Sequence, residues 1–372
     1  MQDDLFGDPA TATQPAKKPD LQHPAAHHAA GARAHTADTP SARPRRSAGG
    51  IAPAAWSEAL HALGAQLPAR LRLGTSSWGY PGWQGLVWAG AHSEQALSRN
   101  GLPVLAQHPL LRTVSIDRGF YRPLTVSDYA RYAGQVPEDF RFVVKAPSVV
   151  TDALVRSEDG RGREANPAFL DPTLAVQSFV APALEGLGPK VGALVFQLSP
   201  LPWQQLDRLD AVIERLHTLL QALPPLAPHA PDGVVALEVR DPEWLSPDYL
   251  PRLVEVLQAG RATWCLGLHP KMPPLQDQLP LLRRLWPGPL VCRWNLHPAN
   301  GPYGYEAAEK RYAPYDRIHD PDPALIDALA QLVHAFTQRG QNAYVTISNH
   351  AEGCAPLSAE RLAQKVSSLP KM

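Results

Sequence analysis

Glu238 and Arg240 stand two residues apart at the end of an apolar run, in the segment VVALEVRDPEW that spans 234–244. Side chains alternate faces along a strand, so the carboxylate and the guanidinium point the same way. Other strand-like runs also end in polar groups: Ser76, Ser77 and Trp78; Asp117; Lys145; Gln197; His269; Arg293 and Asn295; Asn349 and His350. Lys145, Arg240 and Arg293 would bring three cations to one place, with only Asp117 and Glu238 against them. Buried cations are costly without anionic partners, so the imbalance predicts a site for phosphate or carboxylate. In that site Arg240, Arg293 and Lys145 would hold the anion, and Glu238 would act as general acid or base. Lys145 and Asp117 complete the catalytic set, while Asn295, Asn349, Gln197 and Trp78 would bind and orient the substrate.

Other chemistries fit these residues less well. Asp117 and Glu238 could form a glycosidase pair, but that leaves the cations unexplained. Asp117, Glu238, His269 and His350 include metal-ligand types, yet they come from four strands with no HxH or HExxH spacing. A metal is the weaker alternative, and no cofactor is expected. Cys354 in NHAEGCAP reads as a small apolar filler rather than a nucleophile.

Strands must position these groups. Eight runs rich in Val, Leu and Ile recur between helical stretches: 71–78, 113–120, 141–147, 191–199, 234–240, 262–268, 290–296 and 342–349. Leu206, Leu209, Ile213, Leu216, Leu220 and Leu223 recur at steps of three and four, which is one helical face. Asp171-Pro172, Ser246-Pro247 and Asp322-Pro323 each place a capping side chain before a proline, the signature of a helix start. Eight strands alternating with helices predict a closed (β/α)8 TIM-type barrel, whose site lies at the C-terminal ends of the strands. The rival is an open doubly wound sheet, but no GxGxxG follows the first strand. Two connections exceed a turn, 148–170 and 297–321, the second with Tyr303, Tyr305, Tyr312 and Tyr315; such loops cover binding mouths.

Composition bounds the remainder. A chain of 372 residues at 44% hydrophobic content accommodates one barrel, placed at 53–372, plus a tail at 1–52. Thirty-five basic residues against thirty-five acidic ones argue against a protein that coats nucleic acid. Three cysteines, none in a CxxC pair, predict neither a disulfide framework nor a zinc knuckle, and fit a reducing, cytoplasmic setting. Neither a signal peptide nor a membrane span is expected. The tail is rich in Ala, Pro, His and Thr and reads as disordered. Its start, Gln2-Asp3-Asp4-Leu5-Phe6, is similar to the short QxxLF peptide by which bacterial replication and repair proteins dock on the DNA sliding clamp. Gln2, Leu5 and Phe6 would be the contacts.

Seven blocks, GTSSWGYPGW, SIDRGFYRP, FRFVVKAP, LVFQLSP, LEVRDPEW, CRWN and SNHAEGCAP, resemble in order the signatures of the domain of unknown function 72 (YecE-like) family, over about 71–366. The resemblance implies a TIM-type barrel and no established reaction. It adds Tyr121 and Trp244 to the substrate-binding positions. This chain departs from the pattern at Ser115, Asp117 and Gly119, where an acid, Asn and Thr are usual, and at Asp152, where His is usual. The expectation is therefore an enzyme of hydrolase or phosphoesterase character, acting on a phosphate-bearing substrate, nucleic-acid-derived ones included. The alternative is a non-catalytic module that binds a nucleotide or a nucleic-acid end and is tethered to the clamp.

Overall fold

The structure, a computed structural model, describes residues 50–156 and 162–370. Eight strands form a closed barrel: β1 (Leu71–Thr75), β2 (Thr113–Ile116), β3 (Arg141–Lys145), β4 (Val191–Gln197), β5 (Val234–Glu238), β6 (Ala262–Leu268), β7 (Leu290–Trp294) and β8 (Ala343–Ile347). All neighbours are parallel, and β1 pairs with both β2 and β8, so no edge is left open. The outer ring consists of α1 (Glu94–Asn100), α2 (Val126–Ala133), α3 (Ala181–Leu187), α4 (Leu209–Ala222), α5 (Leu250–Ala259), α6 (Leu275–Arg284), α7 (Pro323–Gln338) and α8 (Ala355–Ser368). This is the TIM-type barrel that the eight apolar runs predict.

Strand alternation sorts the core into two parts. Outward residues such as Leu73, Val144, Leu194, Leu237 and Trp264 pack under the helices in one large apolar cluster. Inward, Val143, Ala193, Val195, Val234, Ala236, Cys265, Val291 and Tyr344 fill the lower barrel. The floor is closed by Tyr344, whose hydroxyl donates to the Asp232 carbonyl at 2.6 Å, and by Arg141, paired with Asp232 at 2.8 Å. Two residues further along the same faces, apolar side chains give way to Lys145, Gln197, Glu238 and Arg293.

Two of the proline-marked helix starts form as expected. Asp171 accepts the Leu174 N–H at 2.7 Å, ahead of a helix that passes through a π-turn at Val176–Val180 into α3. Asp322 caps α7 through Leu325 N–H at 3.0 Å. Ser246-Pro247 does not start a helix. A 3-10 turn at Pro242–Leu245 buries Trp244, the Ser246 hydroxyl has no hydrogen-bond partner among the described residues, and 247–249 form a turn, so α5 begins only at Leu250. Most strands also end one to four residues before the limits read from hydrophobicity, because the chain turns away to form the mouth. The long connections carry structure of their own: Leu154–Arg156 pairs antiparallel with Gly162–Ala165 after β3, and a helix spans Tyr305–Tyr312 after β7.

Ahead of β1, Pro53 bridges Trp88 and Ala54 donates to the Val87 carbonyl at 3.0 Å. Gln2, Leu5 and Phe6 lie outside the described residues. Among the described residues, no helix is long and apolar enough to cross a membrane.

Candidate functional site

A cavity of about 130 Å³ opens at the C-terminal ends of the strands. Lys145, Arg240 and Arg293 all line it, together with Asp117, Gln197, Asn295, His269 and Tyr121. The cations read from the strand ends are thus brought to one mouth by three non-adjacent strands.

Glu238 lies beneath this cavity and has no solvent exposure. Its Oε1 accepts from Arg240 and from Asn295 Nδ2 at 3.1 Å, and its Oε2 from Arg293 at 2.8 Å. Burial alone would raise its pKa, but the two guanidiniums outweigh that and hold it down at about 2. A carboxylate so enclosed is a fixed negative charge that orients both arginines. Gly267 on β6, the strand between them, leaves room for this approach. A Cβ there would meet Arg240 Nη1 and Glu238 Oε1, each at 3.3 Å.

Gln197 extends the network, its Oε1 accepting from Arg293 at 3.0 Å and Arg240 at 3.2 Å. Arg293 reaches Asp117 at 2.7 Å with its other terminal nitrogen. Each guanidinium has five N–H donors, of which the described contacts use three on each arginine.

Lys145 is held differently. Its Nζ lies 3.7 Å from the centre of the Phe120 ring and forms no ion pair with a carboxylate among the described residues. Burial, partly offset by Asp117 and reinforced by Arg293 and Arg240, lowers its pKa to about 8. His269 is neutral, pushed to about 2 by burial and then by Arg240 and Lys271. Among the residues that line the cavity or bond these arginines, three cations stand against Asp117 and Glu238, while Asp241 acts on Arg240 from outside the lining. Among the described residues, no three His, Cys, Asp or Glu side chains cluster in a way that could hold a metal ion.

Three of the substrate-binding positions read from sequence do not face this cavity. Trp78 lines a small neighbouring cleft and donates through Nε1 to the Ser98 carbonyl at 3.2 Å. Trp244 is fully buried in the outer core. Asn349 uses Oδ1 to accept from Trp83 Nε1 at 3.2 Å and Ala355 N–H at 2.9 Å, tying the end of β8 to α8. Conversely, Ser199, Ser348 and Phe120 line the mouth without having been assigned to it, and Tyr305 lines it from the aromatic connection expected to cover it. Alternation could have found Ser199, two positions past Gln197 on one face; its hydroxyl donates to buried Asp152. Tyr305 is placed by the helix inserted after β7, which periodicity does not reveal.

The sequence matches the family described as "Protein of unknown function DUF72" over residues 72–371. The chain belongs to this family. Among solved structures, this DUF72 chain is similar to a DUF72 family protein from Enterococcus faecalis V583, at 20% identity and a TM-score of 0.53, covering 81% of this chain and 96% of that one. A DUF72 family protein from Thermotoga maritima MSB8 matches at 17% identity and a TM-score of 0.47, covering 79% and 97%. At 20% identity the Enterococcus match speaks for the barrel alone. No curated protein matches the sequence.

Proposed function

We propose that the barrel mouth of this DUF72 protein binds a phosphate-bearing small molecule and acts on it. The observation that carries this reading is the unbalanced charge. Three cations line one cavity in which Asp117 is the carboxylate, while Glu238 is sealed beneath it, and the described contacts use three of the five N–H donors of each arginine. Phosphate, with its oxygens directed to several sides, suits two guanidinium edges and an ammonium converging on one point.

Glu238 is better suited to holding Arg240 and Arg293 in place than to moving a proton, because all its bonds are committed and water does not reach it. Proton transfer falls to Lys145, whose pKa of about 8 puts both protonation states within reach of neutral conditions. Asp117 lines the same cavity. Ester hydrolysis at phosphorus would use the cations to stabilise charge developing on the leaving and equatorial oxygens.

The enclosure of Glu238 also supports a second reading, in which the mouth binds a phosphate end without turnover and the tail docks the protein on a sliding clamp. Calorimetric titration with sulfate, phosphate and nucleotides, beside a phosphate-release screen on mono- and diesters, separates the two. Arg293→Ala and Arg240→Ala should each weaken anion binding at least tenfold in a folded protein. Turnover that vanishes in Lys145→Met supports the enzyme; binding without turnover in the wild type supports the module. If the wild type binds none of these anions, both readings fail.

A further inference from the structure

A second cavity of about 580 Å³ lies against the first. It opens between the β6–α6 connection, the segment after β7 and the first turn of α7. Its walls include Pro270, Met272, Pro273, Leu296, Pro298 and Pro302, and its exposed lining is mainly apolar. This size falls within the usual range for small-molecule sites, about 300–1,000 Å³. His269 borders both cavities, so the cation-lined mouth and the apolar groove meet at one side chain.

The groove is selective by what it lacks. Proline has no N–H, so these walls offer few backbone donors. Asp322 is the carboxylate in the lining, and its Oδ1 already caps α7 through Leu325 N–H. A nucleobase placed here would lose water from its polar edge and find the Gln276 amide at the rim as a partner, leaving most of that edge unsatisfied against the proline and aliphatic walls. A hydrocarbon loses nothing on entry and gains from leaving water. An anionic head would in turn be repelled by Asp322 and drawn to the cations, which fixes the direction of binding.

His269 suits the junction. Its Nδ1 accepts the Lys271 N–H at 3.1 Å, and the neutral ring therefore carries its proton on Nε2. The ring is held against Tyr305, with centroids 5.7 Å apart. A neutral N–H donor between a charged mouth and an apolar groove matches the bridging oxygen of an ester.

We propose that mouth and groove are two halves of one site for an amphipathic phosphate monoester. The phosphate lies among Lys145, Arg240 and Arg293, the ester oxygen lies beside His269, and an aliphatic or aromatic group fills the groove. The proposal rests on the anion-binding reading above and narrows it from nucleotides to phosphorylated hydrocarbons.

The test is calorimetric titration of the full chain with inorganic phosphate, hexyl phosphate and adenosine monophosphate. A fully buried methylene adds roughly fourfold to affinity. Hexyl phosphate should therefore bind at least about thirtyfold more tightly than inorganic phosphate, while the nucleotide gains little. Ala324 is exposed at the start of α7 and lines the groove, so Ala324→Trp fills it from a position that tolerates a large side chain. That variant should lose the hexyl gain and keep its affinity for inorganic phosphate, and Pro302→Asp should do the same by charge. Equal affinities for hexyl and inorganic phosphate, a larger gain for the nucleotide, or a hexyl gain that survives both variants would overturn the groove assignment alone. Failure to bind any phosphate would overturn the anion reading with it. Light scattering accompanies the titrations: variants that change the oligomeric state while hexyl phosphate shows no gain would make the groove a contact between copies, and the proposal would fall.

Discussion

Glu238 on β5 and Arg293 on β7 meet at 2.8 Å across the intervening strand, β6, which turns two small residues to the pair: Cys265, its Sγ 3.8 Å from Glu238 Oε2, and Gly267, beside Glu238 Oε1 and Arg240. Small side chains on β6 thus leave room for a carboxylate that reaches two guanidiniums while burying itself completely.

Removing the buried charge should cost stability. Glu238→Gln leaves Arg240 and Arg293 facing each other with a neutral partner, and breaking a buried pair in this way costs about 3–5 kcal/mol. Thermal and urea unfolding should show that loss. The mouth cations then lose one counter-charge, so sulfate should restore more stability to the variant than to the wild type. A variant as stable as the wild type would mean that Glu238 does not hold the arginines.

Filling the gap should act on binding more than on folding. Valine suits a strand, but a Cβ at 267 already meets Arg240 and Glu238 at 3.3 Å, and the added methyls must push them aside. Overpacking of this kind costs roughly 1–3 kcal/mol. Gly267→Val should remain folded by circular dichroism and lose at least tenfold in sulfate affinity; unchanged affinity would separate the arginine geometry from the anion site.

The mouth's affinity should depend on pH through Lys145. Below its pKa of about 8 the side chain is an ammonium and attracts an anion; as pH rises through that value the charge is lost. Sulfate does not itself titrate in this range, so its affinity in the wild type should fall between about pH 7 and 9. Lys145→Arg, whose charge persists, should flatten the profile. A decline of equal size in both proteins would assign the titration to another group.

The tail makes a separate prediction. A labelled peptide of residues 1–12 should bind purified sliding clamp with an affinity on the order of micromolar, since a peptide ordered on binding spends part of its contact energy. Fluorescence polarisation with Leu5→Ala and Phe6→Ala as controls reads this directly. Equal binding by the wild-type and doubly substituted peptides would remove the tether.

Much of the architecture was legible because it depends on local pattern. Each barrel strand is a short apolar run, and alternation placed Glu238, Arg240, Arg293 and Asn295 inside the barrel. What alternation cannot give is depth. Glu238 is sealed while Arg240, two positions later, reaches the cavity, and that difference depends on Gly267 and Arg293 from other strands. Trp244 and Asn349 stand in segments that face the mouth in chain order, yet packing turns one into the outer core and the other into a clasp on α8. Ser246-Pro247 has the residues of a helix start, but its hydroxyl finds no N–H to cap and the chain makes a turn before α5. The groove beside His269 was invisible for the same reason, since its walls come from three separate connections.

The apolar filling of the lower barrel has an electrical consequence. Val143, Ala193, Val195, Ala236, Cys265 and Val291 put a poorly polarisable plug beneath the charge cluster, closed below by Tyr344. Such a plug screens little, so the field of the three mouth cations is directed outward, toward the cavity they line. A chain whose formal charges sum to zero can thus still draw anions to a single point on its surface, and their capture rate should fall as added salt shortens the reach of that field.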